Sequence, residues 1–146
     1  MWCRIFCMNE TAPEPEAFVE CVPGSPVVVH AEIDEQGWWF HLELARSSGG
    51  YLLDRYRPED GIRDDLNTWA AWLEENAGDQ AGPLMQRMIG TRQLITLRRE
   101  DRGDEPEARE FCHEVARWLA HQCDGIYQID GEGFFDAAGT LLVAES

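Results

Sequence analysis

Residues 124–142, DGIYQIDGEGFFDAAGTLL, are the most patterned stretch of the chain, and their reading decides how its C-terminal part folds. Asp130, Gly131, Glu132 and Gly133 invite a calcium loop. Such a loop needs oxygen ligands at positions 1, 3 and 5, glycine at 6 and glutamate at 12. Counted from Asp130, those last three places hold Phe134, Phe135 and Leu141, so the match fails. A dinucleotide fingerprint fails too: Asp136 stands where the third glycine belongs, and no helix follows. A β-meander fits every residue. Gly125 to Ile129 is apolar and β-prone, Asp130-Gly131 is a strong hairpin signal, and Phe134-Phe135 opens a second strand. Ala138-Gly139 is a further turn before a third short strand, Leu141 to Val143.

Working outward, residues 2–8 read as a strand with apolar side chains on both faces, which suggests a place inside a sheet. Residues 11–22 read as a short helix with proline in its first turn and Phe18, Cys21 and Val22 inward. Residues 26–34 and 38–45 form a hairpin around the turn DEQG. Simple alternation puts Val27, Val29, Ala31 and Ile33 on one face, with Trp38, Phe40, Leu42 and Leu44 on the matching face of the partner strand. A strand over 51–57 precedes a helix over 60–76, whose Ile62, Leu66, Trp69, Ala70 and Leu73 form one stripe. A short helix over 83–90, a strand over 93–99 and a long helix over 106–123 lead into the meander. The order β-α-β-β-β-α-α-β-α-β-β-β predicts a single α+β domain over 1–146: a mainly antiparallel sheet with helices packed on one face and a C-terminal β-meander.

Composition bounds the function. The 146 residues suit one domain with a sizeable core. No apolar run approaches the ~20 residues of a membrane span, and the start, MWCRIFCMNE, lacks the apolar region of a signal peptide. A cytoplasmic location and no membrane partner are therefore expected. Five scattered cysteines, Cys3, Cys7, Cys21, Cys112 and Cys123, then read as reduced, mostly buried thiols. All 12 basic residues are arginine, and the formal net charge of −16 argues against nucleic acid as a partner. The acid is uneven. Glu10, Glu14, Glu16, Glu20, Glu32, Asp34, Glu35 and Glu43 fall between residues 5 and 45 without an arginine among them, whereas Arg92, Arg98, Arg99 and Arg102 cluster later.

Candidate chemistry is sparse. A turn at Glu35-Gln36 pairs His30 with His41; a turn at Gln36-Gly37 pairs His30 with Glu43 and His41 with Glu32. Either register gathers His30, His41, Glu32 and Glu43 on the outward face, a set of metal-ligand types and the basis of an alternative reading as a metal-binding protein or enzyme. His113 and His121, two turns apart on the last helix, are too distant from each other to share one ion. No nucleophile elbow, phosphate loop or H-E-x-x-H motif occurs, so no catalytic residue and no cofactor are expected. Trp39, on the outward face of its strand, and Trp72, at the edge of its helical stripe, are candidate binding residues together with Glu32, Asp34, Glu35 and Glu43. A small-ligand pocket beside Trp69 is a further possibility.

The segments MWCRIFC, LNTWAAWLEE and DGIYQIDGEGFF together resemble a family of small bacterial proteins, over the full length of this chain. That resemblance implies no activity. The segment LAHQCDGIYQIDGEGFFDAAG is similar to the tail of some toxin-immunity proteins. This likeness and the acidic 5–45 stretch lead to one functional expectation: a non-enzymatic protein-binding module, an immunity-type inhibitor of a basic protein partner.

Overall fold

The computed structural model describes residues 2–47, 49–101 and 105–145. Arg102 of the later arginine cluster lies outside them. Eight strands form one antiparallel sheet: β1 (Trp2–Cys7), β2 (Val27–Ile33), β3 (Trp39–Arg46), β4 (Gly49–Tyr56), β5 (Gln93–Arg99), β6 (Gly125–Ile129), β7 (Gly133–Phe135) and β8 (Leu141–Ala144). Their order is β2-β3-β4-β5-β1-β6-β7-β8. Four helices complete the fold: α1 (Pro15–Cys21), α2 (Arg63–Asn76), α3 (Ala81–Ile89) and α4 (Pro106–Cys123). The α+β class, the antiparallel sheet and the terminal meander are as expected.

The meander follows from its turn chemistry. Gly131 adopts φ +83°, and the Glu132 amide closes the turn on the Ile129 carbonyl at 3.0 Å. Asp136 Oδ1 accepts from the Ala138 and Thr140 amides, which pins the second turn. Gly133 admits no side chain, since a Cβ there would meet the Val143 carbonyl oxygen.

One part of the expected architecture needs correction: the helices pack on both faces, not one. On the first face α1 and α4 cover Ile5, Leu42, Leu53, Leu97 and Tyr127 with Phe18, Phe111, Val115 and Leu119. On the second face α2 and α3 cover Phe6, Leu94, Ile126, Phe134 and Val143 with Leu66, Leu73, Leu84 and Met88. Successive residues of β1, β5 and β6 enter opposite cores, so these strands are apolar on both sides, as the reading of residues 2–8 implied. Helix α2 buries Leu66 and Leu73 as its stripe predicts, while Trp69 is only partly covered and packs against Phe6 and Phe134.

The cysteines need a second correction. Cys7 and Cys123 form a disulfide, with Cα atoms 5.2 Å apart and a sequence separation of 116. It ties the end of β1 to the end of α4. Cys3 and Cys112 are buried and outside the disulfide, as expected; Cys21 is also outside it but exposed. Burial, with Cys112 close by, pushes the Cys3 thiol well above its ordinary pKa, which makes it a poor nucleophile.

Candidate protein-interaction face

The sheet is wider than its second helical layer. Helices α2 and α3 cover the second face over β1, β5 and β6–β8, and among the described residues the part formed by β2, β3 and β4 carries no helix there. The composition of the strands matches this division. Tyr51 and Leu53 of β4 point into the first core, and Asp54 and Tyr56 alternate with them to the open side.

On β2 and β3 the alternation is broken twice. Register shifts lie between Val28 and His30 and between Glu32 and Ile33. At the second shift, one step on β2 spans the two steps from Trp39 to His41 on β3, so Phe40 is the extra residue of a bulge. The bulge inverts the expected phase. Trp39, predicted to face outward as a binding residue, is buried; it donates its indole N–H to the Pro13 carbonyl at 2.8 Å and packs edge-on against Phe18. Trp38 and Phe40, predicted inward, are exposed, whereas Leu42 and Leu44 are inward as expected. On β2, Val28 and Ala31 meet the core, and Val27, Val29 and Ile33 are exposed.

The hairpin adopts the register that pairs His30 with Glu43 and Glu32 with His41. His41 is the organised member of the set. Its Nδ1 lies 2.7 Å from Asp54 Oδ1 and its Nε2 3.2 Å from Glu43 Oε2. Burial disfavours the imidazolium, but the bonds to Asp54 and Glu43, and the charges of Asp54 and Glu32, outweigh it and raise the His41 pKa. His30 approaches Glu32 at 3.8 Å, and its ring centroid lies 6.4 Å from that of His41. Both His41 nitrogens are thus engaged by carboxylates, and among the described residues no group of three or more His, Cys, Asp or Glu side chains is arranged to hold a metal ion.

Two hollows open beside this array. The larger, about 500 Å³, is lined by Asp34, Phe40, Asp54, Tyr56, Arg57, Glu59 and Asp60, among others. Arg57 spans one side, at 3.7 Å from Glu10, 3.9 Å from Asp34 and 3.2 Å from Glu59. The smaller, about 400 Å³, lies between α2 and the sheet and includes Trp2, Arg4, Tyr56, Asp65, Trp69 and Thr96 in its lining, at the place foreseen beside Trp69. Arginine side chains lie over two of its aromatic rings. Arg4 lies 5.1 Å from the Trp69 ring and 5.9 Å from Trp2, and it donates to Gln128 at 2.8 Å and Asp130 at 2.7 Å. Arg98 lies 5.3 Å from Trp2.

The remaining expected site residues are dispersed. Asp34 Oδ1 accepts from the Gln36 and Trp38 amides and so fixes the hairpin turn, with Glu35 exposed at its tip. Trp72, expected at the solvent edge, is half-buried and stacks on Phe134 at 5.7 Å. His113 serves the fold: its nitrogens meet the Tyr127 hydroxyl at 3.1 Å and Glu132 at 2.8 Å, which joins α4 to the meander. Sequence reasoning passed over Phe40, Asp54 and Tyr56. The last two were accessible from strand alternation in β4; Phe40 required the bulge. Among the described residues, no helix is long and apolar enough to cross a membrane. Comparison with family models, curated proteins and solved structures finds no match for this chain.

Proposed function

We propose that this chain is a non-enzymatic, acidic protein-binding module, an immunity-type inhibitor that receives a basic partner on the open part of its sheet. The observation that carries the reading is the contrast within one sheet face: where α2 and α3 are absent, the strands present carboxylates and exposed aromatic rings in place of a covered core. Glu32, Glu43 and Asp54 gather around His41, and Phe40 and Tyr56 line the adjoining hollow with Asp34, Asp54, Glu59 and Asp60. Aromatic side chains supply contact area, and the net charge of −16 steers a cationic protein toward it.

The test is affinity capture by the native chain and by a Glu32→Gln, Glu43→Gln variant, at low and high salt. A captured protein of net positive charge, held at least several-fold more weakly by the variant and at high salt, is the expected result. A partner held equally by both chains, or one of net negative charge, would overturn the proposal.

A further inference from the structure

Thr96 interrupts a buried apolar run. Its neighbours on β5, Leu94, Ile95 and Leu97, all enter a core. Thr96 itself is 7% exposed, yet its Oγ1 has no hydrogen-bond partner. A buried hydroxyl in that condition is unfavourable and calls for a reason. The register sets Thr96 between Asp54 of β4 and Arg4 of β1, next to the Leu94–Phe6 row that α2 covers. Thr96 therefore lies where the second helical layer ends, and it lines the hollow of about 400 Å³ between α2 and the sheet. Tyr56, 39% exposed, brings its hydroxyl toward Thr96 without completing a hydrogen bond.

The walls select the charge of a ligand. Ile62, Asp65 and Trp69 recur at i, i+3 and i+7 and so share one side of the helix. Asp65, with Asp60 just before α2, sets two carboxylates against one guanidinium, Arg4. Asp130, outside the lining, already answers the Arg4 charge at 2.7 Å. Asp60 accepts the neutral Arg57 amide at 2.8 Å, and among the described residues neither Asp60 nor Asp65 forms an ion pair with an arginine. Guanidinium groups lie over the Trp2 and Trp69 rings, so these faces already suit cations, and among the described residues the Tyr56 ring carries none. An anion would meet both carboxylates, and a neutral ligand would leave them unanswered. We infer that this hollow binds an organic cation, an ammonium on a short apolar stem. Asp60, Asp65 and the Thr96 hydroxyl hold the nitrogen, and Ile62, Leu94 and Tyr56 receive the stem. The site does not depend on the proposed function. A lysine side chain of a basic partner is one source of such a cation, and a free alkylamine is the other.

NMR titration of the intact chain with n-butylammonium, n-butanol and butyrate, three probes on one stem at fixed ionic strength, tests the assignment. Saturable shifts of the Thr96 amide and the Trp69 indole N–H are expected with butylammonium, at an affinity about ten-fold above that of the other two. Asp65→Asn should weaken binding about three- to five-fold. Thr96→Val should weaken it about ten-fold, and Thr96→Ser should retain it. Because Oγ1 has no internal partner, Thr96→Val should leave the unfolding midpoint of the free chain unchanged or raised. Glu110→Gln, at an exposed position on α4 across the sheet, should bind as the native chain does. Equal binding of butanol or butyrate, shifts that never saturate, or full binding by Asp65→Asn and Thr96→Val would each overturn the site. A lowered midpoint in Thr96→Val would overturn its premise. Lysine capped as its acetyl methylamide separates the sources: binding as tight as that of butylammonium assigns a side chain, and binding of butylammonium alone assigns a free amine.

Discussion

The covered and the open parts of the sheet use the same backbone ladder for opposite ends. In the covered part, β1 and β6 send successive side chains into two cores: Ile5, Tyr127 and Ile129 enter the core beneath α4, while Phe6 and Ile126 enter the core beneath α2 and α3. In the open part, β3 and β4 send only alternate residues inward, Leu42, Leu44, Tyr51 and Leu53, and the others reach solvent as Glu43, Asp54 and Tyr56. One additional helical layer separates the two regimes. The difference teaches that stability and recognition are divided along the strand order, so substitutions in the two parts should be nearly independent.

The largest effect belongs to the covered part. Phe134 is fully buried and stacks with Phe6 and Trp72. Phe134→Ala should cost about 3–5 kcal/mol, whereas Phe40→Ala, at an exposed bulge, should stay within about 0.5–1 kcal/mol. Denaturant curves on the two variants measure the contrast, and similar losses would mean that Phe40 is covered in solution.

The disulfide sharpens the comparison, since it closes the covered part by joining β1 to α4 across a sequence separation of 116. Replacing Cys7 and Cys123 with serine should cost about 2–4 kcal/mol through the freed unfolded chain. Intact mass with and without reductant establishes the bond, and thermal melts measure its contribution. Equal melting with and without reductant would remove the clasp from the account.

A smaller effect belongs to the open part. His41 has a raised pKa when folded, so its ion pairs with Asp54 and Glu43 contribute stability that is fully present below the ordinary histidine value of 6.5. That contribution fades as pH rises through the raised folded value. Proton NMR titration should place His41 above the ordinary value, and Asp54→Asn should bring it down. A His41 pKa unmoved by Asp54→Asn would separate the pair.

Much of the closed architecture was legible. The period of α2, the turn chemistry of Asp130-Gly131 and the two-faced apolarity of residues 2–8 each report local physics that tertiary context did not override. The second helical layer is harder to read, because it shows only in the two-faced apolar character that β5 and β6 share with β1. The candidate site was read less well, for a specific reason. Strict alternation assigns Trp38 and Phe40 inward and Trp39 outward, and one inserted residue at Phe40 reverses that assignment, as a one-step slip in register must. A bulge without glycine leaves no clear mark in a run such as WWFHLEL. The distant pair Cys7 and Cys123 was equally hidden, because spacing alone does not reveal which cysteines the fold brings together.

The central claim is that a basic partner meets the open part of the sheet. A photo-crosslinking side chain placed at Phe40, and at Ile89 on the exposed surface of α3 as control, tests it most directly in cells of the protein's own source. The account predicts a crosslink from position 40 to a protein of net positive charge, weakened at high salt and absent from position 89. Crosslinks only between copies of the chain, or equal capture from both positions, would contradict it.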